Sequence, residues 1–89
     1  MPTHRHLATE HQQTLINIFK HHGVPHIEWA DLLHLIEAVG SVVEKGDGEY
    51  RFEVNGEHHD VVRPRHDKIT DVEEIAELRA FLTRARMTP

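Results

Sequence analysis

The chain has 89 residues, no cysteine and a formal net charge of −5, from 15 acidic and 10 basic side chains with ten histidines counted as neutral. This length limits the chain to a single domain, and the lack of cysteine excludes disulfides and thiolate metal sites. No apolar run approaches the ~20 residues of a membrane helix, and the first residues do not resemble a signal peptide. We therefore expect a cytoplasmic protein with no membrane partner.

The acidic balance argues against tight nucleic-acid binding by general electrostatics, because proteins that bind in this way are usually basic. Histidine is partly charged near neutral pH, so the field around a histidine-rich segment is less negative than the total charge suggests. An acidic total charge is equally compatible with a protein that meets a basic protein partner.

The first predicted element is a helix over residues 9–22, after a disordered start over residues 1–8. Thr9 and Gln12 have the spacing of a capping box at its beginning, and Gly23 with Pro25 ends it. Its apolar stripe consists of Leu15, Ile18, Phe19 and His22.

The second predicted helix lies in IEWADLLHLIEAVG and ends at Gly40. Its apolar residues recur at i, i+3, i+4 and i+7, which is typical of an amphipathic helix. These residues are Trp29, Leu32, Leu33 and Ile36.

After Ser41 the apolar residues recur with period two, which predicts three strands in SVVEK, EYRFEV and EHHDVV. Asn55-Gly56 is the preferred pair for a two-residue hairpin turn, and this turn sets the register of the last two strands. The predicted core-face pairs are Val54–Glu57, Phe52–His59 and Tyr50–Val61, and the predicted outer-face pairs are Arg51–Asp60 and Glu53–His58.

A third helix is predicted after Thr70 and Glu73, which repeat the capping-box spacing. Its apolar face consists of Val72, Ile75, Leu78, Leu82 and Ala85. The predicted order is helix, helix, three strands, helix. Helices packed on one face of a three-stranded antiparallel sheet make an α+β domain.

The segment WADLLHLIEAVGSVVEKGDG, the following hairpin and the turn Pro64-Arg65-His66 together resemble the HicA family of toxins. The match covers residues 28–85, and a family-like core is expected over residues 28–86. Residues 9–22 resemble an additional N-terminal helix found in a HicA-like subgroup. The resemblance implies a double-stranded-RNA-binding-domain-like fold, cleavage of messenger RNA without a metal or other cofactor, and a HicB-like antitoxin partner.

The catalytic Gly-Ser-His signature of that family is missing from this chain. The corresponding turn reads Gly46-Asp47-Gly48-Glu49, followed by Tyr50, and it contains no histidine. Cleavage of this kind needs a proton acceptor and a proton donor, which histidine supplies near neutral pH. Glu49 and Tyr50 are nearest to the missing position, and the catalytic role is not transferred to either of them.

Three other histidines could replace the missing catalytic histidine. His58 is expected to pair with Glu53, and His59 is expected to pack beside Phe52. His66 is the remaining catalytic candidate, because it lies in a basic turn where arginines would hold a phosphate. The predicted RNA-binding residues are Arg63, Arg65, Lys68, Arg51 and Lys45.

Metal binding is considered because histidine is abundant. The pairs His4/His6, His22/His26 and His58/His59 lack a third ligand at a recognised spacing, so no dedicated metal site is predicted.

Two functions remain open from the sequence. The first is a HicA-like protein of a type II toxin–antitoxin system that binds RNA with weak or no endoribonuclease activity. The second is a non-catalytic protein-interaction or regulatory module that keeps the fold.

Overall fold

The computed structural model describes residues 7–20 and 26–89. The first helix was predicted to extend to residue 22, but it ends at Phe19 because Lys20 is extended. Gly23, Pro25, His22 and the pair His4/His6 lie outside the described residues. Within the described part the elements are α1 (Thr9–Phe19), β1 (Ile27–Glu28), α2 (Trp29–Val39), β2 (Ser41–Gly46), β3 (Glu49–Val54), β4 (Glu57–Val62), β5 (Lys68–Ile69) and α3 (Val72–Arg84). No helix among these residues is long and apolar enough to cross a membrane.

The predicted α+β architecture is confirmed, with three helices and an antiparallel sheet in the order β2-β3-β4. All five predicted pairs between β3 and β4 are present, including Phe52 with His59 and Arg51 with Asp60. Asn55 and Gly56 have positive φ angles of 49° and 84°, as a type I′ turn requires. The turn residues and the alternating pattern therefore determine this register.

A second, two-stranded ladder was not predicted. Ile27 of β1 pairs with Ile69 of β5, and both side chains are buried. The Trp29 amide also donates a hydrogen bond to the Asp67 carbonyl at 2.9 Å. These contacts join the beginning of α2 to the segment that precedes α3.

The core lies between the inner face of the sheet and the helices. Phe52 and Val54 of β3 are fully buried there, and the Trp29 ring packs against Phe52 and, edge to face, against Tyr50. From the helices the buried core residues are Leu15, Ile18, Trp29, Leu32, Leu35, Ile36, Ile75, Leu78, Phe81 and Leu82. The outer face of the sheet remains exposed.

Two predicted helix faces are corrected by the structure. In α2, Leu35 is fully buried whereas Leu33 is only partly buried, because α2 packs against both α1 and the sheet and so buries a wider stripe. In α3, Val72 is 63% exposed, and the fully buried Phe81 belongs to the apolar face instead.

Both predicted capping boxes are wrong. Ala8 is the N-cap of α1, so Thr9 is already helical, and the Gln12 side-chain amide donates to the Leu7 carbonyl. Asp71, and not Thr70, caps α3 by accepting a hydrogen bond from the Glu73 amide. A short polar side chain caps a helix only at the position where the backbone enters the helix. For α3 that position is set by the β1–β5 ladder that precedes it.

The end of α1 is held by a residue distant in sequence. Arg79 of α3 donates from Nε to the Ile18 carbonyl at 2.7 Å and from Nη2 to the Lys20 carbonyl at 2.8 Å. The last carbonyls of a helix have no partner within the helix, and cationic side chains commonly bind them. Arg79 therefore fastens α1 to α3.

Candidate functional site

The two segments that the sequence singles out meet at one end of the sheet. The Arg63 amide, just after β4, donates a hydrogen bond to the Gly48 carbonyl, just before β3, at 2.8 Å. We call residues 46–49 together with residues 63–68 the sheet corner. Asp47 and Gly48 form its two-residue hairpin loop, and both have positive φ angles.

The loop over residues 63–67 is tied down at several points. The Asp67 amide donates to the Pro64 carbonyl at 3.2 Å, and Asp67 adopts a left-handed φ of 59°. Arg63 Nε donates to Asp67 Oδ1 at 2.8 Å. This hydrogen bond lowers the pKa of Asp67, and Asp67, with a smaller contribution from Tyr50, raises the pKa of Arg63. Arg63 therefore fixes the conformation of this loop through its side chain.

Arg65, His66 and Lys68 are exposed, and none of them takes part in an ion pair within the described part of the chain. The cationic groups of Arg65 and Lys68 are available to an anionic ligand. His66 has no side-chain hydrogen bond there either, so no neighbouring group orients its ring as a general base requires. Within the described residues the corner therefore presents two cations outside any ion pair, but no assembled acid–base pair.

Glu49 and Tyr50 lie beside this loop on opposite faces of β3. Glu49 is exposed on the outer face, where it is paired with Val62 and Gly46. Tyr50 is half-buried on the inner face, with its ring centroid 5.2 Å from that of Trp29. The packing against Trp29 holds Tyr50 in the core.

Arg51 and Lys45, the other two predicted RNA-binding residues, lie on the outer face and bind the same carboxylate. Arg51 Nε donates to Asp60 Oδ1 at 3.0 Å, and Lys45 Nζ donates to Asp60 Oδ2 at 3.3 Å. The hydrogen bond from Arg51, followed by that from Lys45, lowers the pKa of Asp60 to about 2. The register irregularity between Glu44 and Gly46 accommodates Lys45, a feature the sequence analysis missed. The single Asp60 carboxylate balances one of the two positive charges of these cations.

No protein-family model matches this chain, and neither a curated protein nor a solved structure is found to be similar to it.

The other two histidines considered above, His58 and His59, are neighbours in β4 and lie on opposite faces of the sheet. His58 is exposed opposite Glu53, but the predicted ion pair between them is not formed. His59 packs on the inner face as predicted, with its ring stacked on Phe81 at a centroid distance of 5.5 Å. Its Nε2 shares a hydrogen bond with Glu74 Oε2 at 3.0 Å.

Proposed function

We propose that the protein is a HicA-like member of a type II toxin–antitoxin system that acts in the cytoplasm, binds RNA weakly at the sheet corner and cleaves it poorly or not at all. The succession α2-β2-β3-β4-α3 supports this proposal, because it is the order expected of a double-stranded-RNA-binding-domain-like core with α1 added. The partner expected on this reading is a HicB-like antitoxin.

The observation that carries the RNA-binding proposal is that two cationic side chains of the sheet corner are exposed and not used in ion pairs. Arg65 is exposed in the loop over residues 63–67 and Lys68 is exposed at the start of β5, and both lie outside the ion pairs of the described residues. Main-chain hydrogen bonds hold the backbone of this segment, so mainly the side chains lose freedom when they bind phosphate. Because Arg63, Arg51 and Lys45 are already paired with aspartates, few charges remain for RNA, and binding is expected to be weak and sensitive to salt.

Arg65→Ala and Lys68→Ala are each expected to weaken RNA binding about fivefold at low salt. Each loses one phosphate contact, so the slope of log affinity against log salt should fall by about 0.7–0.9. The measurement is a fluorescence-anisotropy titration of labelled RNA of two unrelated sequences, which should respond equally. Arg84→Ala is the matched control, because Arg84 is paired with Glu57 at the opposite end of the sheet. Equal behaviour of all three variants would refute the corner as the RNA site.

Native protein is expected to show little or no RNA cleavage, and Glu49→His is expected to raise it. Glu49 is exposed beside the corner loop, so a histidine there would supply the missing proton-transfer group and remove a carboxylate that repels the phosphodiester. Tyr50→His is less suitable because Tyr50 packs on Trp29.

The matched control for cleavage is Glu53→His, which makes the same substitution on the same face of β3 at its other end. Cleavage is measured by gel analysis of a labelled RNA. Cleavage by the native protein that is lost in His66→Ala would instead show that His66 is catalytic. Failure of every variant to cut would leave RNA binding as the activity.

The alternative function is a non-catalytic protein-interaction or regulatory module, and the outer face of the sheet favours it. Val43, the cross-strand neighbour of Arg51, and Val62, two residues from Asp60 along β4, are 54% and 63% exposed there. Exposed apolar side chains on one face provide apolar surface for a protein partner. Absence of RNA binding at low salt, together with co-purification of the product of an adjacent gene, would support this alternative.

A further inference from the structure

A cluster of possible metal ligands lies between β4 and α3. One nitrogen of His59 and one carboxylate oxygen each of Glu74 and Glu77 lie within 4.8 Å of one another. Glu74 and Glu77 are one helical turn apart, so both carboxylates face the same strand. His59 enters from the strand, and its side chain is only 13% exposed.

The His59 ring is held in place by two contacts. Phe81 stacks on it with an angle of 24° between the ring planes, and Glu74 accepts the hydrogen bond from Nε2 at 3.0 Å. Phe81, Glu77 and Glu74 follow one stripe of α3, so the ring lies along the same side of the helix as both carboxylates. The imidazole nitrogen is thereby directed at the acidic pair before any ion arrives.

These dimensions suit a small tetrahedral cation. With zinc bonds of about 2.0–2.1 Å, neighbouring ligand atoms lie about 3.3 Å apart. The His59–Glu74 distance is already close to this value, and the exposed Glu77 can complete the set by a side-chain movement of about 1 Å or slightly more. A mixed set of one imidazole and two carboxylates favours zinc over magnesium or calcium, which prefer oxygen ligands alone.

We propose that His59, Glu74 and Glu77 form a zinc-binding site. Zinc takes the place of the hydrogen on Nε2, so the metal-bound neutral imidazole carries its single hydrogen on Nδ1, and the proton released on binding passes to the solvent. The fourth position is occupied by water, since three protein ligands leave one open. The ion joins the edge strand β4 to α3 and so stabilises a small domain that contains no disulfide.

The test uses the full chain without an affinity tag, treated with a chelator and titrated with zinc chloride by calorimetry, with thermal unfolding followed in parallel. The native protein is expected to bind one zinc ion at this site and to gain several degrees in Tm. Glu77→Gln and Glu74→Gln are expected to weaken this binding at least tenfold and to remove the gain in Tm. Magnesium at the same concentration is expected to have no effect.

Controls separate this site from the other histidines of the chain. His58→Asn and Glu73→Gln change exposed neighbours on the same strand and helix and should leave zinc binding unchanged. His59→Asn should abolish zinc binding. If His59→Asn does not fold, Glu77→Gln still tests the site, because Glu77 is exposed and its replacement should not disturb folding. Native affinity in both glutamate variants, or loss of binding in His58→Asn, would overturn the proposal and show adventitious binding elsewhere.

Discussion

Phe52→Ala is expected to lower the free energy of unfolding by about 3–5 kcal/mol, the usual cost of removing a buried phenylalanine ring. Phe52 is fully buried on the central strand of the sheet, and its ring lies 6.1 Å from that of Trp29, centroid to centroid. A domain of this length has a total stability of about 4–13 kcal/mol, so the loss is a large fraction of the total and would unfold the domain if its stability lies near the low end of that range.

Urea denaturation followed by circular dichroism and tryptophan fluorescence would measure this loss. Glu53→Ala is the matched control, because Glu53 is the next residue along β3 and is exposed on the opposite face. Its stability should change by no more than about 0.5 kcal/mol. A small effect for Phe52→Ala would show that the ring is not a central part of the core.

Gly40→Ala is expected to destabilise the protein by about 3 kcal/mol or more. A methyl group at this position would overlap the main-chain carbonyl oxygen of Glu53 and would lie 2.9 Å from Cγ2 of Val54. Main-chain atoms of β3 cannot move aside without breaking the pairing of Ser41 with Glu53 at the start of β2. The cost therefore arises from close approach of α2's end to the sheet.

Thermal and urea unfolding of Gly40→Ala beside Ser41→Ala would test this reason. Ser41 is exposed and adjacent, so its replacement removes little and should be nearly neutral. Near-native stability of Gly40→Ala would mean that β2 can shift relative to β3 without loss, contrary to the geometry described.

The β3–β4 hairpin could be predicted from the sequence in full, whereas the packing of the helices could not. Alternating side chains and the Asn55-Gly56 turn are local signals that specify one register. Leu35 is buried in place of Leu33 because α1 and the sheet both contact α2. No local sequence pattern indicates these contacts. The β1–β5 ladder was missed because two-residue strands are too short to show a period.

The candidate sites, too, could be predicted from the sequence only in part. The exposed Arg65, His66 and Lys68 could be recognised as a polar turn, but the hydrogen bond that joins this turn to Gly48 depends on how β3 and β4 end. In the His59–Glu74–Glu77 cluster, His59 lies 15 or more positions from both glutamates, and the three meet only because α3 presents one particular stripe to β4. Sequence spacing alone therefore could not reveal it.

The hydrogen bonds from Arg79 to Ile18 and Lys20 have a consequence for the order in which the chain folds during synthesis. They span 61 and 59 residues, so the end of α1 leaves the ribosome long before Arg79 does. A helix of 11 residues is marginal in water on its own, so α1 depends first on packing against α2, and its last carbonyls gain their Arg79 partner only when α3 is made. Such distant contacts slow folding, because the intervening chain must close into a loop before they form.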